Sequence, residues 1–76
     1  MATDAQWAEI AKGIVKAELK RRNVTYEELA QRLTDQGIPE TKASIASKLS
    51  RGGFTAAFML AAMKNIGCDT IRVDMI

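Results

Sequence analysis

Histidine is absent from this 76-residue chain, and cysteine occurs once, as Cys68. Within one chain these shortages exclude disulfide frameworks, zinc fingers and catalysis by Ser–His or Cys–His pairs. Aromatic residues are also scarce: Trp7, Tyr26, Phe54 and Phe58 make up 5% of the residues. Of 36 apolar residues, 12 are alanine, so only 24 apolar side chains exceed a methyl group. Below roughly 70–80 residues a single core rarely supplies more than about 3–5 kcal/mol, and small domains usually need a disulfide, a metal or a partner chain. With the first two excluded, close helix packing or oligomerisation is left. No apolar run approaches the ~20 residues that span a bilayer, so no membrane segment is expected.

What is present points to one domain over residues 1–76. The start, Met-Ala-Thr-Asp-Ala-Gln-Trp, has neither the basic opening nor the apolar stretch of a signal peptide. With a single unpaired cysteine, a reducing cytoplasm is the expected setting. The formal net charge is only +2, but its distribution is uneven. Lys42, Lys48, Arg51 and Lys64 lie in residues 41–68, a stretch without any acid, while the flanks sum to −2. A local basic face suits phosphate binding better than the total implies.

Capping signals divide the chain into helices. Thr3-Asp-Ala-Gln6 has capping-box form and opens a helix reaching about Arg22, with Trp7, Ile10, Ala11, Ile14, Val15 and Leu19 as its apolar stripe. Gly13 inside it costs about 1 kcal/mol relative to alanine. Close approach of a second helix or a local break would each account for it. Thr25-Tyr-Glu-Glu28 is a second capping box, and Val24 and Leu29 stand at staple positions. Tyr26, Leu29, Ala30 and Leu33 then form one helical face, closed near Gln36-Gly37. Tyr26 is assigned to packing on this spacing.

Gly37-Ile-Pro-Glu40 reads as a turn, and Thr41 as the N-cap of a third helix ending before Gly52-Gly53. Its inner side is Ile45, Ala46 and Leu49; its other side shows Lys42, Ser44, Ser47, Lys48 and Arg51. A fourth helix starts after Thr55 and ends at Gly67 in a left-handed cap, with Cys68 placed to contact Met63 by packing rather than to do chemistry. Residues 69–75 alternate polar and apolar, with Ile71, Val73 and Met75 on one side, the pattern of a strand over 70–75. The chain offers that strand no partner, so pairing with the same strand of a second copy across a two-fold axis is expected.

Two helices joined by a short glycine-containing turn, the second with a slim basic-polar outer face, describe a helix-turn-helix. Ser44 and Ser47 keep such a helix narrow enough for a major groove about 12 Å wide. Lys48 and Arg51 can reach guanine edges or phosphates, and Lys42 lies near the N-terminal amides, which also attract phosphate. These residues resemble the lambda-repressor/Cro-type helix-turn-helix domains. Leu29-Ala30 sits where those domains carry a Leu-Ala pair, and Arg51-Gly52 sits where their recognition helix ends. The chain is also similar to a family of short bacterial proteins known as a domain of unknown function. The similarity rests on Trp7, Thr25-Tyr-Glu-Glu-Leu29, Lys48-Leu-Ser-Arg-Gly52 with Phe54, Ala56-Ala-Phe58 and Ile66-Gly-Cys68. It implies a fold and a bacterial origin and assigns no activity.

Three departures from the repressor pattern bear on function. The turn from Asp35 to Glu40 is longer, Ser50 replaces an acidic partner, and Ala57, Phe58 and Ala61 fall where repressors are generally polar. Residues 56–63 contain no polar side chain, and a helix apolar all round is buried all round. A second subunit would supply that cover.

The expectation is therefore an all-α, repressor-like domain of four or five helices with a C-terminal β-strand. It would dimerise through Phe58, Ala61, Ile71, Val73 and Met75, and bind double-stranded DNA through Lys42, Ser44, Ser47, Lys48 and Arg51. Two recognition helices would then lie about 34 Å apart, one duplex turn. The alternative is a dimeric protein-interaction module that keeps the fold without DNA binding. Glu27-Glu28 has no second carboxylate cluster, and Gly52-Gly53 lacks the Gly-Lys-Ser/Thr pattern of a phosphate loop. Neither catalysis nor a cofactor or metal is expected.

Overall fold

The computed structural model of the chain describes residues 2–73. It contains four helices: α1 (Asp4–Arg21), α2 (Tyr26–Asp35), α3 (Lys42–Arg51) and α4 (Ala56–Asn65). Every helix starts the same way. Thr3, Thr25, Thr41 and Thr55 are N-caps whose hydroxyls accept the amide of the third helical residue at 3.2, 3.1, 3.0 and 3.0 Å. Each such cap contributes about 1 kcal/mol by satisfying a donor that the helix leaves open. The reciprocal half of the box is present at Thr3–Gln6 but not at Thr25–Glu28, where the Glu28 carboxylate lies 3.9 Å from Arg32 one turn on. At α3 a serine closes the box: Ser44 Oγ accepts from the Thr41 amide at 2.8 Å.

Three helices also end alike. The amides of Val24, Ile38 and Cys68 each donate to the carbonyl five residues back, on Leu19, Leu33 and Met63, all at 2.9 Å. This is the Schellman arrangement, with the left-handed position held by Asn23 (φ 57°), Gly37 (86°) and Gly67 (82°). Each motif places an apolar residue beside an apolar residue of the last turn. Cys68 is accordingly buried and packs as expected. Helix α3 ends instead on Gly52 (φ 72°), where an added Cβ would lie 2.9 Å from the Ala8 carbonyl oxygen. Gly52 therefore meets two demands at once, a left-handed backbone and the close approach of α1.

Backbones approach closely between α1 and α3, α1 and α4, α2 and α3, and α2 and α4. Sequence neighbours α1 and α2 are thus diagonal, as are α3 and α4. The core fills the middle: Val15 and Leu19 from α1, Leu29, Ala30 and Leu33 from α2, Ile45 and Leu49 from α3, and Phe58, Ala62 and Met63 from α4. Val15, Leu29, Leu33, Ile45 and Leu49 are wholly inaccessible to solvent. Tyr26 is half-buried against this core. Polar ties reinforce the pairs. Lys12 Nζ donates to the Ser50 carbonyl at 3.1 Å, and Arg32 Nη1 donates to the Asn65 carbonyl at 2.9 Å, both at helix C-termini where cations suit the dipole.

Two expectations are corrected. Gly13 is exposed in an unbroken α1, and a Cβ added to it would meet nothing within 4 Å, so no helix approaches it there. The strand expected over 70–75 is not formed at residues 70–73: 70–72 run as irregular chain and 73 is in 3-10 conformation, while 74 and 75 lie outside the described residues. A strand needs a ladder of partners, and the single chain supplies none among its described residues. Ile71 packs instead against the core, between α1 and α4.

Candidate nucleic-acid interface

Helix α3 turns Ile45 and Leu49 inward. At 100° per residue the opposite line passes through Ala43, Ser47, Ser50 and Arg51. Ala43, Ser50 and Arg51 are exposed and Ser47 is half-buried. The outward face is slim and carries no acid. Arg51 Nη2 donates to Ser47 Oγ at 2.6 Å, which lays the guanidinium along the helix. Lys42, at the N-terminal end, is exposed and has no ion pair among the described residues. On the same wheel Lys48 falls on a flank of this face, about 100° from its centre, while Lys42 lies about 140° away, near the line of Leu49 at the open N-terminal end of the helix.

Lys48 is engaged inside the molecule. Its ammonium pairs with Glu40 Oε2 and stands 4.7 Å above the ring centroid of Phe58. Glu40 immediately precedes the cap residue, and only 6% of its side chain is exposed. Its other oxygen, Oε1, accepts from Ser44 Oγ at 2.6 Å. The loop is held in turn by Thr34, whose hydroxyl accepts from the Glu40 amide at 3.3 Å and donates to the Glu40 carbonyl at 3.0 Å. Burial pushes the Glu40 carboxyl up, but hydrogen bonds from Lys48 and Ser44 and the Lys48 charge outweigh it, leaving the group below its ordinary 4.5.

Of the five residues expected to face DNA, the structure puts Ser47 and Arg51 on the outward face and leaves Lys42 exposed at the helix N-terminus, off that face. Ser44 and Lys48 are joined to Glu40. Sequence reasoning did not find Glu40, because a charge count over 41–68 stops one residue short of it. It also did not find Lys12, brought to the C-terminus of α3 across 38 residues and paired with Glu9 at 3.0 Å. No local pattern announces a contact of that range.

The residues expected at a dimer interface are dispersed. Phe58 is 7% exposed and belongs to the chain's own core, with its ring centroid 5.4 Å from that of Phe54. It is withdrawn from the outer surface, with Phe54 and the Lys48 ammonium against its ring. Ala61 and Ile71 are half-buried, Val73 is exposed, and Met75 lies outside the described residues. The large apolar side chain that α4 does present is Leu60, 65% exposed. Lys64, one turn on, marks the same outward line. In an all-apolar stretch the period carries no phase, and Lys64 was the signal that could have set it.

Among the described residues no helix is long and apolar enough to cross a membrane, and no group of three or more His, Cys, Asp or Glu residues could hold a metal ion.

A small four-helix domain with a slim, acid-free α3 face is the class that fold and site define. The model of a domain of unknown function, DUF6471, matches residues 7–71, and the chain belongs to that family. No curated protein matches the chain, and no solved structure matches it.

Proposed function

We propose that this protein is a small DNA-binding module that works as a dimer. In this reading α2 and α3 act as a helix-turn-helix, and α3 lies in the major groove. The observation that carries the reading is the outward face of α3: Ala43, Ser47 and Ser50 are small enough for close approach, Arg51 stands at its C-terminal end, and Lys42 is exposed at the helix N-terminus. Arg51 is the leading contact, able to address a guanine edge or a phosphate, and Lys42 holds phosphate near the helix N-terminus. Ser44 and Ser47 support the face, and Lys48 adds to it once released from Glu40. The second copy covers Leu60, Ala57 and Ala61 on α4. In a dimer that reads two half-sites of a duplex, the two recognition helices lie about 34 Å apart, one duplex turn.

A second reading has a specific observation behind it. The Lys48–Glu40 pair neutralises one of the three cations of α3, which suits a dimeric protein-interaction module. Titration of duplex DNA against salt separates the two. A DNA reader loses affinity steeply between about 50 and 200 mM salt, whereas an interaction module does not bind the duplex.

A further inference from the structure

We propose that Glu40 is a built-in competitor for phosphate, an internal counter-ion that holds Lys48 back from the α3 face and so restrains the domain's grip on nucleic acid. The inference rests on the reading of α3 as the DNA-facing helix and adds its regulation.

Three features of the cluster support it. Lys48 is the basic residue of α3 with both an internal anion and an aromatic face on its ammonium. Glu40 is held in place to receive that ammonium. Thr34 fixes the direction of its backbone, Ser44 donates to its Oε1, and its Oε2 is left for Lys48. Yet the pair is not sealed, since 37% of the Lys48 side chain is exposed. A flexible lysine stem with that much access can swing from carboxylate to an arriving phosphate without moving the helix. Exchange of one anion for another costs the charge–charge attraction to Glu40, so affinity is set by the difference. Phe58 keeps the ammonium on the α4 side of α3 in the unbound protein.

The test compares the full-length wild type, Glu40→Gln, Glu40→Asp and the double variant Glu40→Gln/Lys48→Ala, with mixed-sequence duplex DNA as probe. Thermal melts first establish that each variant is folded. Glu40→Gln should bind more tightly, by up to about eightfold near 0.1 M salt, with the log–log salt slope steeper by about 0.9, the mark of one added phosphate contact. Glu40→Asp, which keeps the charge but shortens its reach, should gain part of this. The double variant should lose the gain. Unchanged affinity in Glu40→Gln overturns the proposal, and so does a gain that survives in the double variant, which would be simple removal of negative charge. A readout free of DNA separates the two failures. In wild type the Lys48 ammonium should give a slowly exchanging nitrogen signal by NMR, lost in Glu40→Gln. If no variant binds duplex at low salt, the DNA reading fails. The restraint on Lys48 then stands if that signal is lost and falls if it is unchanged.

Discussion

At the scale of single residues, the molecule concentrates its polar chemistry on Glu40. Its carboxyl titrates below the ordinary value because Lys48 and Ser44 stabilise the ionised form more than burial disfavours it. The consequence for stability has a definite sign. A carboxyl with a lowered folded-state pKa contributes stability that is fully present above its unfolded value of about 4.5 and disappears as pH falls through the lower, folded value. Urea midpoints of wild type and Glu40→Gln should therefore differ most at neutral pH, in favour of wild type. The gap should narrow below about pH 4.5, and a constant gap from pH 7 to pH 3 would contradict the assignment. Two glycines make a matched pair at the same scale. Gly13 is an exposed helical glycine with open space around it, so Gly13→Ala should raise stability by roughly 0.5–1 kcal/mol, about 4–8 °C in Tm per kcal/mol in a domain of this size. Gly52→Ala should lower it by about 2 kcal/mol or more, since it combines a left-handed backbone with a 2.9 Å approach to Ala8 oxygen. Thermal or urea melts of the two variants check both signs.

At the scale of elements, the helices could be read from the sequence because their boundaries are local. A threonine cap, a period of 3.6 and a left-handed closing residue involve neighbours within one turn, and the bounds at Tyr26, Lys42 and Ala56 follow from Thr25, Thr41 and Thr55. What lay beyond local pattern is which way an element faces and what reaches it from elsewhere. Helix α4 is apolar nearly throughout, so its pattern could not decide between Phe58 and Leu60 as the outward residue. Packing against Phe54 and beneath Lys48 drew Phe58 inward. The same limit applied to α3. Its cations were found in sequence, but the partner that occupies Lys48 precedes the helix and lies two turns before it. The segment after Cys68 has strand alternation without a strand's partner, so in a single chain its apolar member Ile71 packs on α1 and α4 instead.

At the scale of the whole molecule, a core drawn from all four helices answers the doubt raised by so many alanines. Ala30 and Ala62 lie in that core, where small side chains let helices close on one another. Surface left uncovered is confined to a few places, with Leu60 on α4 and Val73 in the C-terminal segment the most exposed large apolar side chains. If a second copy covers this side, wild type should sediment as a dimer at micromolar concentration. Leu60→Glu, which sets a charge on the outward line of α4 without touching the core, should then sediment as a folded monomer. A wild-type monomer, or a Leu60→Glu dimer of unchanged strength, would remove α4 from the interface.

The central claim is that α3 holds duplex DNA through Arg51 on its outward face and Lys42 at its N-terminal end. Its most direct test is the salt dependence of duplex binding for wild type against Arg51→Ala/Lys42→Ala. The account predicts steep loss of wild-type affinity with rising salt, and a slope shallower by about 2 in the double variant, one unit for each phosphate contact removed. Absence of wild-type binding at low salt, with the fold and the assembly intact, would contradict it, as would an identical slope in the two proteins.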